Sequence, residues 1–383
     1  MRSCPQGFPQ GNVLHALQGA DSPFRLDGSP VDGLPPRGNI AGMRALVTGA
    51  TGFIGANVVR ALLSRGYAVR ALARGGADRR NLVGLDIEWA EGDVRDPSAV
   101  CAAVRGCSLV FHVAALYAFW ARPRRLMYEV NVDGTGNVLH AAEEEGVERV
   151  VVTSSVAALG LRDDGRPADE TVPATSATLI GDYKKSKFLA QELALAFARR
   201  GLPVIVVNPS FPVGPYDRKP TPTGQVIVDF LNGRIPAYVN GGLNVVAVED
   251  VALGHVLAAE RGRPGERYIL GGENLTMREF FRLLSGVSGR PAAVLRLPAA
   301  PLIPLAYLNA AWSAVTGTVP RLTPDTARMA HHRMFYDPTK AVRELGLPQT
   351  PAAEALQRAV VWFEENGYVS PFRCGGGRAP GRG

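Results

Sequence analysis

The sequence predicts a doubly wound α/β fold, in which a parallel sheet is covered by helices on both faces, with a small α+β lobe near the C-terminus. Three observations carry that reading. Short apolar runs alternate with segments of helical period, a glycine-rich string joins the first strand to the first helix, and the alternation breaks only after Phe211.

RALVTG (44–49) is an apolar run of strand length. FIGANVVRALLSRG (53–66) has helical period and a glycine stop, and YAVRALAR (67–74) returns to strand. IEWAEGD (87–93), a short helix from Pro97 to Gly106, the buried run SLVFHVAA (108–115), a helix through NVDGTGNVLHAAEEEG (131–146) and RVVVTSS (149–155) repeat the pattern. So do a helix from Tyr183 to Arg200 and the strand PVIVVNPS (203–210). After Phe211 come Pro/Gly-rich loops, then VVAVEDVALGHVLAAE (245–260), ERYILGG (266–272), a helix at MREFFRLLSGVSG and a final helix from Ala352 to Asn366. The expected division is a disordered extension at 1–42, with Met43 an alternative initiator, and a Rossmann domain at 43–212 completed by 245–272. A substrate lobe at 213–244 and 273–345, a C-terminal helix at 346–370 and a disordered basic tail at 371–383 complete it.

Composition narrows the function. With 46% hydrophobic and 20% charged residues in 383, wholesale disorder and a polytopic membrane protein are excluded. The net charge of +7 includes Arg373, Arg378 and Arg382 in the acid-free tail, and the excess is too thin and dispersed for a nucleic-acid partner. It suits an anionic cofactor. The four cysteines (Cys4, Cys101, Cys107, Cys374) form no C-x-x-C pair, so neither a zinc site nor a disulfide framework is expected, which fits a reducing cytoplasm. No secretory h-region follows Arg2. The apolar stretch 297–315 is broken by Pro298, Pro301, Pro304 and Asn309, so it is expected as a buried lobe helix rather than a membrane span or a surface-lying anchor.

The chemistry starts at Thr48-Gly49-Ala50-Thr51-Gly52-Phe53-Ile54-Gly55. Glycines three apart permit a tight turn, close approach of backbone to a pyrophosphate and close helix packing, while the first helical amides hold the anion; this assigns Gly49, Thr51, Gly52, Phe53, Ile54 and Gly55 to a dinucleotide. Arg74 ends the second strand where an acid would select NAD, with Arg79 and Arg80 behind it and Asp78 opposing, so NADP(H) is favoured over NAD(H). Asp93, followed by Val94, is placed to face the adenine. Ala114 and Ala115 are small residues beside the cofactor, and Pro209 ends the sixth strand on the same side. His112 is expected as a packed strand residue, with no metal. Asn131 heads a helix, where cofactor contact and N-capping are both open.

Tyr183-Lys184-Lys185-Ser186-Lys187 places Tyr183 and Lys187 four apart on one helix face. A phenol with an ordinary pKa near 10 is a poor acid or base at neutral pH. A neighbouring ammonium and an oxidised nicotinamide would pull it down. Ser155 closes the strand before this helix and could hold a substrate oxygen against Tyr183, with Thr153 and Ser154 competing for that role.

With TGATGFIG, GDVRD, HVAA, NVDGTGN, TSS and YKKSK in order, residues 43 to about 368 resemble the extended short-chain dehydrogenase/reductase superfamily. NPSFPVGPYDRKPTPTGQVIVDFLNGRIPAYVNGGLN and ERYILGGENLT resemble its hopanoid-associated sugar epimerase branch, close to dihydroflavonol 4-reductase. The resemblance implies a catalytic triad of Ser155, Tyr183 and Lys187, with Lys187 also holding the nicotinamide ribose. It also implies Gly49, Gly52 and Gly55 on the pyrophosphate, Arg74 at the adenosine end and Asp93 on the adenine. One departure stands out: sugar-nucleotide enzymes of this kind carry a diphosphate-clamping arginine where this sequence has Leu243, and Arg218, Lys219 or Arg234 would have to substitute. The expectation is an NAD(P)-dependent hydride-transfer enzyme acting on a ketone, sugar or sugar-linked lipid. It is either epimerase-like or an NADPH-dependent ketoreductase, and a homodimer is compatible with it. A non-catalytic NADP-binding redox sensor is the rival from another class, and the intact Tyr183 and Lys187 count against it.

Overall fold

A computed structural model describes residues 43–117, 124–162, 164–175, 177–291, 295–298, 302–316, 324–329 and 332–369. The expected extension at 1–42 and the basic tail at 371–383 lie outside the described residues. Strand β1 (Arg44–Thr48) runs into helix α1 (Phe53–Ser64), followed by β2 (Ala68–Ala73), β3 (Glu88–Glu91), α2 (Pro97–Val104) and β4 (Leu109–His112). α2 begins where sequence chemistry dictates: Pro97 occupies its first turn and the Asp96 carboxylate accepts from the Ser98 and Ala99 amides. A short turn Arg125–Tyr128 and a π-helical turn Glu129–Asp133 lead into α3 (Gly134–Glu144), then β5 (Arg149–Thr153), α4 (Gly181–Arg199) and β6 (Val204–Pro209).

The second half adds β7 (Phe211–Val213), α5 (Pro222–Leu231), β8 (Ala237–Val239), β9 (Gly242–Ala247), α6 (Val248–Arg261), β10 (Arg267–Leu270) and β11 (Glu273–Thr276). It ends with α7 (Met277–Ser288), β12 (Leu295–Leu297), α8 (Leu302–Thr316), α9 (Pro324–Met329), α10 (Thr339–Leu345) and α11 (Ala352–Glu365). Seven strands form one parallel sheet in the order β3-β2-β1-β4-β5-β6-β10. Its central strands are buried on both faces, which is why they read as continuous Val/Ile/Leu runs. The order reverses between β1 and β4, so a crevice opens there at the carboxyl edge.

A three-stranded sheet, β11-β9-β7, makes the lobe core with Phe280, Phe281, Trp362 and Phe363. Three elements differ from expectation. Residues 245–247, expected with the main sheet, belong to β9, antiparallel to β11 and parallel to β7; only from Val248 does the chain return, as α6, to pack on α1. The Asn244 side chain fixes β9 there, bridging the Gly272 amide and carbonyl and the Tyr336 carbonyl. α5 forms where a Pro/Gly-rich loop was expected, because Pro222 sits at its first position and Thr221 caps it through the Gly224 amide. The stretch 297–315, expected as a buried lobe helix, is exposed along one side of α8, and its residues 299–301 lie outside the described residues. Pro304 sits in the first turn of α8, where no helical bond is lost, and Leu305, Tyr307, Leu308 and Trp312 are 50–70% exposed. Among the described residues no helix is long and apolar enough to cross a membrane.

Candidate active site

The glycine string forms the turn between β1 and α1, at the strand-order reversal. Gly49 has φ +66°, and a Cβ there would lie 2.7 Å from the backbone of Ala114, whose amide donates to Thr48 Oγ1 at 3.2 Å. A Cβ on Gly55 would lie 2.1 Å from the Gly49 carbonyl oxygen, so this glycine lets helix and strand meet. Gly52 differs. A Cβ there would meet only the Gly49 oxygen, at 3.2 Å, and the rest of that face is open. α1 has no side-chain cap and no acid in its first turn, so the amides that follow Gly52 keep their positive end for an anion. This cradle fits a dinucleotide pyrophosphate. Thr51 offers its carbonyl to Asn81 Nδ2 at 3.2 Å, while Phe53 is buried and Ile54 half-buried.

Asn81 carries no motif and was not foreseen. Its amide also donates to the Tyr216 carbonyl at 2.9 Å, and beside the turn its Oδ1 is buried with no partner among the described residues. Asn57 Nδ2 reaches the Pro215 carbonyl at 3.2 Å, and the Arg60 guanidinium lies 3.8 Å above the Tyr216 ring. Tyr216 itself takes φ +73°, a strained value for a non-glycine residue. The chain after β7 is thus stitched over the turn.

At the end of β2, Arg74 is exposed. Asp78, the acid that opposed the NADP reading, is paired with Arg80 at 2.6 Å, and that hydrogen-bonded pair holds its carboxyl down at about 2. Asp93 is turned towards Arg95 in a two-point contact at 3.0 and 2.9 Å, which lowers its pKa and commits both carboxylate oxygens. Val94 packs into the core against Gly134, Ala114 is half-buried and Ala115 exposed at the crevice, and Pro209 is buried at the end of β6. The N-cap reading of Asn131 is corrected: it lies inside the π-helical turn, where its side chain accepts from Leu116 N at 2.7 Å and donates to Ser186 Oγ at 3.0 Å. It therefore ties the segment after β4 to α4. His112 is a packed strand residue, held between Thr48 and Thr135 hydroxyls at 2.9 Å each, and burial pushes its pKa down to about 3.

Ser155, Tyr183 and Lys187 converge at the carboxyl edge of β5. Ser155 Oγ accepts from the Ala157 amide at 3.1 Å and faces the Tyr183 phenol closely enough to lower its pKa. Its carbonyl is held by Asn208 Nδ2 at 2.8 Å, itself bonded to Gln191. Of the rivals, Thr153 is occupied by His255 at 2.9 Å, and the Ser154 hydroxyl is buried without a partner among the described residues. Lys187 Nζ donates to the Thr153 carbonyl at 2.6 Å, and burial lowers its pKa to about 8. The expected lowering of Tyr183 by Lys187 is not what acts on the phenol in this structure. Burial raises it to about 12 and the nearby Ser155 hydroxyl works the other way. Tyr117 covers the Tyr183 ring at 4.6 Å between centroids.

Sequence reasoning also missed Asp217. It is 2% exposed, accepts from Thr221 N and Oγ1, is pushed up to about 6 by burial, and its charge bears on Tyr117. Leu243 lies in the lobe core at 7% exposure. Of the candidate substitutes, Arg234 pairs with Asp229 on the surface and Lys219 is exposed. Arg218 lies near Asp78 and Tyr368 on the adenosine side, and its carbonyl accepts from the Tyr368 hydroxyl. Among the described residues no cluster could hold a metal ion.

Residues 45–271 match the model of the NAD dependent epimerase/dehydratase family. The chain is 46% identical over 327 residues to a putative dihydroflavonol 4-reductase of Synechocystis sp., covering 84% of this chain and 95% of that protein. It is 37% identical to sterol demethylase protein B of Methylococcus capsulatus, covering 85% of this chain and 100% of the relative. Among solved structures it superposes on gox2253 with a TM-score of 0.77 at 46% identity (87% of this chain, 100% of that one). It superposes on PA4631, described as a nucleoside-diphosphate-sugar epimerase from Pseudomonas aeruginosa, with a TM-score of 0.71 at 30% identity (86% and 100%). The chain belongs to the NAD dependent epimerase/dehydratase family, within the extended short-chain dehydrogenase/reductases. It is an NAD(P)-dependent oxidoreductase or epimerase.

Proposed function

We propose that this protein is an NADP(H)-dependent reductase that interconverts a hydrophobic ketone and its alcohol. The observation that carries this reading is the Ser155 hydroxyl beside the Tyr183 phenol at the crevice edge, with Lys187 buried behind them. In the proposed reaction the bound nicotinamide supplies or accepts the hydride. Tyr183 Oη gives its proton to the carbonyl oxygen as the alcohol forms, and Ser155 Oγ holds that oxygen in line. Lys187 would hold the cofactor ribose and, with the oxidised nicotinamide, would favour the ionised form of a phenol that burial otherwise keeps protonated. Gly49 to Gly55 would hold the pyrophosphate, and Arg74, with Asp78 neutralised by Arg80, would take the 2′-phosphate.

Two observations support a reductase with an apolar substrate over a sugar-nucleotide epimerase. Leu243 fills the position of the diphosphate clamp and is buried in the lobe core, and of the possible substitutes Arg234 is paired with Asp229 and Lys219 is exposed. The second is the likeness to a sterol demethylase protein B, which favours a polycyclic lipid, hopanoid-like substrates included. The likeness to PA4631 favours the epimerase reading instead. Net cofactor consumption separates them. A panel of polycyclic ketones and nucleotide sugars incubated with NADPH should show stoichiometric NADPH oxidation with a ketone. Turnover of a nucleotide sugar with no net change in cofactor would overturn the reading.

A further inference from the structure

We propose that the face of α8 carrying Leu305, Leu308 and Trp312 docks the protein on an anionic lipid surface. These residues recur at spacings of three and four, so they share one side of the helix, and they are 54%, 68% and 70% exposed. Tyr307 beside them is half-exposed, and α8 has no charged residue from Leu302 to Thr316. Four of the nine large hydrophobic side chains exposed among the described residues therefore lie on this one helix. Trp and Tyr have the amphipathic rings that settle at headgroup level. At 15 residues α8 is about 22 Å long, too short for a hydrocarbon core of about 30 Å, so it would lie in the interface rather than cross.

The charge around α8 selects the occupant. From Arg290 to Arg333 the sequence has five arginines (Arg290, Arg296, Arg321, Arg328, Arg333), no lysine, and one acid, Asp325, which lies against Gly181 at the start of α4. Arg328 on α9 donates to the Tyr307 hydroxyl. Arg296 on β12 is exposed next to Leu295, itself 57% exposed. Among the described residues neither has an acid within ion-pair distance. A second copy docked by the same face would set two arginine-rich segments against each other, whereas anionic headgroups complement them. The proposal rests for its purpose on the reading of a hydrophobic substrate, which a membrane-docked enzyme would meet in the lipid phase.

Flotation of the full chain with vesicles tests it without turnover. The protein should float with vesicles of phosphatidylcholine and phosphatidylglycerol, less at high salt, and little with phosphatidylcholine alone. Leu308→Glu/Trp312→Glu should weaken partitioning by about tenfold or more, and Arg296→Ala and Arg328→Ala by about fivefold each, with NADPH affinity unchanged. Brominated lipids should quench tryptophan fluorescence in wild type and not in Trp312→Phe. Absence of flotation overturns the proposal, as does a double variant that floats like wild type. A wild-type dimer that ignores vesicles and dissociates in the double variant assigns the face to a second copy and overturns it too. Flotation with no reduction of any hydrophobic ketone would sink the substrate reading and leave the docking face standing.

Discussion

In the sheet half, a single methyl group on Gly55 would strike the Gly49 carbonyl; in the lobe, Gly286 sits inside α7 with nothing within 4 Å of where its Cβ would be. The two halves are constrained by different things. The turn between β1 and α1 is fixed by backbone approaching backbone, so residue identity there is nearly dictated. The lobe is held by apolar volume around Phe280, Phe281 and Phe363, which other side chains of similar size could fill. A cofactor site written in backbone geometry is therefore legible from sequence, and a substrate lobe written in volume is not.

Substitutions can break that contrast. Gly55→Ala should have the largest effect on stability, about 3 kcal/mol or more, because the clash is with backbone that has no rotamer to escape to; a melting temperature within a degree or two of wild type would contradict the packing argument. Asp217, where the chain leaves the sheet half for the lobe, sharpens it through pH. Its folded pKa of about 6 lies above the ordinary 3.8, so the native state binds the extra proton between about pH 4 and 6. Stability should fall as pH rises through that window, by about 3 kcal/mol in all. Asp217→Asn should abolish this slope in urea titrations at a series of pH values, and an unchanged slope would remove Asp217 as its source. Arg74→Asp should weaken NADPH binding by about tenfold or more and leave NADH nearly untouched; equal loss of both would take Arg74 away from the ribose. The smallest effect is expected in the lobe. Gly286→Ala should stabilise by about 0.5–1 kcal/mol, since only helix propensity changes at an exposed, open position.

The main sheet could be read because its central strands are apolar runs and β1, β4 and β5 are each followed by a helix, and Tyr183 and Lys187 because four residues on a helix are one face. Strand β9 defeated the same reasoning. An apolar run such as Val245–Ala247 shows that a strand is buried without showing in which sheet. Helix α5 was hidden by Pro222, a breaker in mid-helix and a starter at the first position. Asn81 and Asp217 left no motif at all, since each acts through residues distant in sequence or through the chain fold of its own loop. α8 was misjudged because an apolar helix reads as buried, and only the structure shows which side has no cover.

The central claim is that Tyr183 is the proton donor of the hydride-transfer step. Single-turnover oxidation of bound NADPH by a ketone substrate, followed in wild type and Tyr183→Phe across pH, tests it most directly. The ring is kept and only the titrating oxygen is lost, so NADPH affinity should persist while the rate falls by about 100-fold or more, with no recovery at high or low pH. A Tyr183→Phe enzyme that oxidises NADPH within a few-fold of the wild-type rate would contradict the account.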